Sequence, residues 1–417
     1  MLNHFASDPA IDKNNFQPRV GLVFDARGNG KDIIRAGWGV YTDVGYTNSN
    51  ILFAAFDSTG QGFGNTFNVN TPSGIRNADG SFFRVGQPLS NIASQNQVAA
   101  GVFPFSGQWA DPLLQAPYQM QANAGWSHEL DANTVFTMDF VDSKGRDLNT
   151  RPRLNQRILG TTIRRISALL PTALNPNTNA NRPALSNGES QYDALITSVR
   201  RRLTKGVDFT ASYTLANAKS TIGGAVDQLN VANIQDPNNP FDAPVQNGPT
   251  ADTDARHRIS LSASFELPGG FRVAPIYLFR SALPVSLVDG RDINLDGDAT
   301  EIPAKAYAVD TFDAATGVIT FKDIGSCDTV NCGRGMSQQQ MNIRLSKVFH
   351  LGGRAQLDAI GEVFNLFNNV NPSGFRTRAV VPSTGAADTT LLQPTTYSGD
   401  TRRPEQRVGQ IGFRLSF

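Results

Sequence analysis

The pattern of connections constrains this chain more than any single motif does. Stretches of about ten residues alternate apolar and polar side chains with period two, the signature of a strand whose two faces meet different surroundings. They are joined by a tight turn, then a long loop, then a tight turn again, without exception. The clearest stretch sets Val207, Phe209, Ala211, Tyr213 and Leu215 against Asp208, Thr210, Ser212 and Thr214. A second sets Ile259, Leu261, Ala263, Phe265 and Leu267 against Ser260, Ser262, Ser264 and Glu266. Strands are predicted near 16–24, 31–42, 118–130, 133–144, 190–203, 206–218, 256–267, 270–281, 338–350, 353–367 and 406–417, about eleven in all. Each is roughly the ~9 to 11 residues or more that a tilted membrane-spanning strand needs.

Turns rich in Gly, Asn, Asp or Pro fall at 27–30, 131–133, 204–206, 268–270 and 351–353, and long polar loops cover about 43–117, 145–189, 219–255, 282–337 and 368–405. Short turns on one rim and long loops on the other describe an antiparallel transmembrane β-barrel. A soluble sandwich is not expected to keep five such alternations in register, and loops this long are uncommon in compact domains. By the same parity the last strand ends at Phe417 on the short-turn rim.

Composition agrees with this all-β reading and removes others. With 40% hydrophobic residues, 18% charged residues and a mean hydropathy of -0.27, the 417-residue chain holds no apolar run long enough for a spanning helix. A barrel escapes that requirement because only every second side chain faces lipid. The formal charge of +1 supplies no field for nucleic acid. No nucleophile elbow, phosphate loop, dinucleotide fingerprint or zinc helix occurs, so the expectation is a protein without enzymatic activity. The four histidines are scattered: His4 lies near the start, and His128, His257 and His350 are read at strand ends beside short turns. The two cysteines, Cys327 and Cys332 in CDTVNC, lack neighbouring ligands for a metal and read as a small loop disulfide, with free thiols as the alternative.

Aromatic residues at or near strand ends or on the apolar face, namely Trp38, Tyr41, Tyr118, Trp126, Tyr213, Tyr277, Phe349 and Phe367, suit interfacial girdles, although aromatics favour strands in any case. Strand charges such as Asp139, Asp208, Glu266, Arg344, Asp358 and Glu362 fit a wet lumen wall, paired with a plug or with water, or alternatively a solute path. In DINLDGDATE, Asp292, Asn294, Asp296 and Asp298 alternate around Gly297 in the manner of a calcium loop. The bidentate Glu of an EF-hand is replaced by Pro303, and Glu301 would have to substitute. Calcium is the only cofactor this sequence raises, and the alternative is a solvated acidic turn.

Three segments carry a family resemblance. SQYDALITSVRRRLTKGVDFTASYTLANAKS (190–220) and DARHRISLSASFELPGGFRV (254–273) resemble hairpins of the Oar-like branch of the TonB-dependent receptors. The third, MNIRLSKVFHLGGRAQLDAIGEVFNLFNNVNPSGF (341–375), contains EVFNLFNN, which is common near the end of such barrels. The final QIGFRLSF places Ile411, Phe413, Leu415 and Phe417 on one face, as in substrates of the outer-membrane assembly machinery.

The resemblance implies that residues 1–417 are the C-terminal half of a barrel of about 22 strands, with periplasmic turns and extracellular loops, in the bacterial outer membrane. No plug, TonB box or signal peptide is read in the chain, which is therefore expected to be a fragment or a gene begun at an internal Met. The implied partners are outer-membrane lipid, the barrel-assembly machinery, the TonB complex acting through a plug, and a scarce small solute whose identity stays open. The alternative function is cell-surface adhesion without transport.

Overall fold

The computed structural model describes residues 13–42, 79, 81, 108–110, 113, 115–150, 157–158, 161–164, 182–221, 248–251, 253–293, 295, 299, 301–398 and 402–417. In chain order the strands are β1 (Arg19–Asp25), β2 (Asp32–Thr42), β3 (Gln108–Ala110), β4 (Tyr118–Asp131), β5 (Thr134–Thr150), β6 (Arg182–Thr204), β7 (Val207–Ser220), β8 (Gly248–Pro249), β9 (His257–Leu267) and β10 (Phe271–Arg280). They continue as β11 (Pro284–Val285), β12 (Lys305–Asp313), β13 (Val318–Ser326), β14 (Gly333–Arg334), β15 (Gln338–Gly352), β16 (Ala355–Phe364), β17 (Pro372–Phe375), β18 (Pro394–Tyr397) and β19 (Val408–Ser416).

Eleven of these form one antiparallel path, β1-β2-β4-β5-β6-β7-β9-β10-β15-β16-β19, in which every strand lies beside its neighbour on the path. They are the eleven the alternation predicts, with ends displaced by a few residues. The largest differences are β5 and β6, which run on to Thr150 and back to Arg182 as a paired extension beyond the rest of the sheet. Among the described residues the sheet does not close, since the outer edges of β1 and β19 have no partner strand.

Tight turns close the hairpins with the backbone that their residues permit. Lys205 and Gly206 join β6 to β7 with φ of 50° and 75°, the left-handed pair that suits the twist of a two-residue hairpin.

The register sorts the side chains into two faces. Along β2, Ile34, Ala36, Trp38 and Val40 stand opposite Trp126, Ala124, Ala122 and Met120. The row continues through Phe140, Leu195, Leu215 and His257 across β5, β6, β7 and β9. On β19 the corresponding positions are Ile411, Phe413 and Leu415, opposite Gly361, Ala359 and Leu357. Large apolar side chains on this face are exposed, Ile411 at 81% and Phe413 at 71%. Apolar groups in that number are left uncovered only where something other than water meets them.

The long loops hold structure that the sequence pattern did not show. Within 281–337, β11, β14, β12 and β13 form a separate four-stranded sheet, while β17 pairs with β18 inside 365–407. These two loops share one core of Val285, Leu287, Ile319, Ala379, Leu391 and Leu392, of which Leu392 is 0% exposed. Gln393 fastens the loops together, its Oε1 accepting from the Ile319 N–H (3.1 Å) and its Nε2 donating to the Ile319 carbonyl (2.8 Å). The 219–255 loop joins them through Asp254, which accepts from the Ala218 N–H (2.9 Å) and pairs with Arg334 (2.9 Å). Three loops thus pack into a cap at one end of the sheet.

Candidate functional site

The second face of the sheet carries most of its charged side chains, with apolar ones such as Val23, Ile276 and Leu278 among them. All six strand charges singled out in the sequence, Asp139, Asp208, Glu266, Arg344, Asp358 and Glu362, lie on it by register. Several pair within the wall, where a plug or water was the expected partner. Glu266 binds Arg272 across the β9–β10 hairpin (2.7 Å). Arg344 reaches Glu362 (2.6 Å), whose other oxygen accepts from Gln410 on β19. Arg35 on β2 reaches Asp139 on β5 (2.9 Å) over the intervening β4, and also donates to Ser127 Oγ (2.7 Å). The span is open because residue 125 is glycine: a Cβ there would overlap Asp139 Oδ1 and stand 3.3 Å from the Arg35 guanidinium.

Two adjoining cavities open on this face toward the loop end. The first, of about 810 Å³, spans β2 to β9 and is lined by Tyr41, Gln119, Tyr192, Thr214 and Arg258 among others. The second, of about 490 Å³, lies under the cap between β7 and β15 and is lined by Arg258, Arg280, Gln338, Gln340 and Asn371 among others. Thr214 and Arg258 belong to both. Arg258 faces Arg280 directly in the β9–β10 register and donates through Nη2 to the Thr253 carbonyl (3.1 Å). Gln119 donates to Ser143, which fixes the amide against the cavity wall. Cavities of this size with convergent polar groups are where a small ligand is expected. Alternation alone cannot find them, because it says which face is polar and not where loops cover it.

The residues predicted individually fall as follows. Cys327 and Cys332 are disulfide-bonded with Cα atoms 5.4 Å apart, closing the turn between β13 and β14. Within that turn, buried Asn331 donates to the Pro249 carbonyl (2.7 Å), tying it to the neighbouring loop. Of the calcium candidates, Asn294, Asp296 and Asp298 lie outside the described residues. Asp292 lies 3.8 Å from Arg157, and Glu301 accepts from the Ile293 N–H (3.0 Å). Among the described residues no cluster of three or more metal-type ligands forms. Ile411, Phe413 and Leu415 share the apolar face on the outer edge strand, with Phe417 beyond it.

Three positions differ from expectation. Tyr41 pairs with Gln119 in the row of Arg35 and Gly37, and so belongs to the polar face. Phe367 lies past the end of β16, in the loop. His257 begins β9 at its long-loop end, where Nδ1 meets the Tyr213 hydroxyl at 2.8 Å, whereas a place beside a short turn was expected. His4 lies outside the described residues.

In the cap, hydrogen bonds from the Thr390 hydroxyl and N–H and the nearby Arg378 hold the Asp388 carboxyl below its usual range. Lys305 does the same for Asp323, at 2.6 Å.

The family model for the outer membrane beta barrel domain matches residues 9–403. Among solved structures, the outer membrane transporter YddB of Escherichia coli aligns at 12% identity and a TM-score of 0.46, covering 96% of this chain and 40% of that one. The ferric enterobactin receptor PfeA of Pseudomonas aeruginosa aligns at 10% identity and a TM-score of 0.46, with coverage of 96% and 40%. The pyoverdine outer membrane receptor FpvA of Pseudomonas aeruginosa does so at 10% and 0.46, with coverage of 96% and 36%. The chain therefore spans 36 to 40% of the length of these barrels. A comparison with the curated proteins finds no match.

Proposed function

The chain belongs to the outer membrane beta barrel domain family and is a protein of the bacterial outer membrane, and from this premise we propose that it forms wall and outer loops of an Oar-like TonB-dependent receptor that takes up a scarce solute. The observation that carries the reading is the pair of cavities beneath the loop cap, open to the polar face of a sheet whose other face is apolar. A solute held there would sit between the outside and a polar path along the strands. In this reading the apolar face meets outer-membrane lipid, the tight turns are periplasmic and the cap is extracellular.

The edges of β1 and β19 fit the same reading. Lipid cannot satisfy open strand edges, at a cost of several kcal/mol for each unpaired backbone group, so both call for further strands of a larger barrel. A plug engaged by the TonB complex would supply the gate. Ile411, Phe413, Leu415 and Phe417 would be read by the barrel-assembly machinery.

The test is accumulation of labelled candidate solutes by cells expressing the whole gene, with and without an energised inner membrane. Energy-dependent accumulation lost on deleting the gene supports uptake. Its absence for every solute, with loss of cell-surface attachment on deletion, supports the second reading, adhesion. That reading has one observation in its favour: the cap has an apolar core of its own.

A further inference from the structure

Among the described residues on the apolar face of β10, β15, β16 and β19, Lys347 is the one charged side chain. It stands between Phe271 and Ala359 in a row that ends at Phe413 on the edge strand. The next row toward the loop end is Val273, Leu345, Gly361 and Ile411, and the next toward the turns holds Phe349, Leu357 and Leu415.

A lysine on a lipid-facing wall is costly at the middle of a bilayer and nearly neutral at its edge. Lys347 lies at such an edge: Phe271, its partner in the register, is the first residue of β10, directly after the tight turn at 268–270. The Lys347 ammonium is 4.4 Å from the centre of the Phe271 ring and 5.0 Å from that of Phe349. An aromatic ring attracts a cation without neutralising it, so the two rings hold the ammonium at the rim with its charge intact. Beside it, a Cβ added at Gly361 would meet nothing closer than the Leu345 carbonyl oxygen, at 4.0 Å. Gly361 and Ala359 thus leave a shallow trough along β16, between Leu345 on one side and Ile411 and Phe413 on the other.

We propose that Lys347, framed by Phe271 and Phe349, binds the headgroup of an anionic phospholipid whose acyl chain runs along the β16 trough. A cation at the membrane surface attracts anionic headgroups, and the apolar side chains that continue inward from it suit a hydrocarbon chain. The site rests on the reading that this face meets outer-membrane lipid, and it adds a preference for lipid charge that a purely apolar wall lacks.

The test uses the receptor expressed from its whole gene and purified in detergent. Dioleoyl phosphatidylglycerol is the anionic probe, and dioleoyl phosphatidylcholine, with the same chains and no net charge, is its counterpart. Native mass spectrometry counts bound lipid over a titration of each. Wild type is expected to hold its first phosphatidylglycerol more tightly than its first phosphatidylcholine. Lys347→Gln weakens the former by up to about fivefold and leaves the latter unchanged, while Lys347→Arg keeps the preference. Lys144→Gln removes the same unit of charge from the same face near the loop end and leaves the preference at its wild-type value. Equal binding of the two lipids by wild type overturns the headgroup site, as does a preference that survives Lys347→Gln or falls equally in Lys144→Gln, and in these cases the lipid-facing reading stands. A receptor that retains neither lipid also overturns the site, and if it stays dispersed without detergent the lipid-facing reading falls with it.

Discussion

Replacing Gly125 with alanine tests how the polar wall is assembled. The added Cβ would overlap Asp139 Oδ1, the end of a side chain able to swing away, so the strand need not move. What is lost is the 2.9 Å contact with Arg35, whose side chain is 39% exposed and that of Asp139 35%. A pair so wetted contributes about 0.2–1 kcal/mol. Against this, alanine in a strand interior is favoured over glycine by roughly 0.5–1 kcal/mol through chain entropy. The two largely cancel, so Gly125→Ala alone should change stability by less than about 0.8 kcal/mol. The informative quantity is the coupling. In an Asp139→Ala background the bridge is already gone and the same glycine replacement should stabilise by roughly 0.5–1 kcal/mol. Urea unfolding of the vesicle-inserted protein, followed by tryptophan fluorescence, measures all four corners of the cycle. Additivity within about 0.3 kcal/mol would refute the claim that Gly125 is small to let Arg35 reach Asp139.

The cap offers further tests. Leu392→Ala, at a fully buried position, should destabilise the cap by about 2–5 kcal/mol, seen as protease cleavage within 281–337 at lower denaturant while the strands stay protected. Cys327→Ala with Cys332→Ala should cost the cap about 2 kcal/mol for so short a closed loop, and peptide mapping without reductant should find the two cysteines in one linked fragment. Asp388 and Asp323 have folded pKa values below the ordinary aspartate range, so their contribution is complete above that range and is lost as pH falls through the lower folded values. Cap protection should therefore decline only below about pH 4, and Asp388→Asn should flatten that decline.

Much of the architecture was legible because a half-lipid, half-water strand must alternate. Val207 to Leu215 and Ile259 to Leu267 announced both faces, and the short turns announced one rim. Inside the loops that rule fails. The β12 and β13 strands belong to a small sheet packed on an apolar core shared with a distant loop, and the residues that close it, such as Leu391 and Leu392, sit in a turn with no periodicity. The cavities arise where that cap meets the sheet, a junction that alternation along a strand does not reveal. Tyr41 and His257 were misplaced for a related reason: nearness to a strand end says nothing about which face or which rim a side chain joins. The wall ion pairs needed the cross-strand register, since Arg35 and Asp139 are 104 residues apart.

The central claim is the orientation of the sheet, with turns inside and the cap outside. In a Cys327→Ala, Cys332→Ala background, single cysteines at Asn133 in the β4–β5 turn and at Thr316 in the β12–β13 turn are exposed to a membrane-impermeant maleimide on intact cells. With the cap outside, Thr316→Cys should label at once and Asn133→Cys only after the outer membrane is opened. Labelling of Asn133→Cys on intact cells, with Thr316→Cys protected, would contradict it.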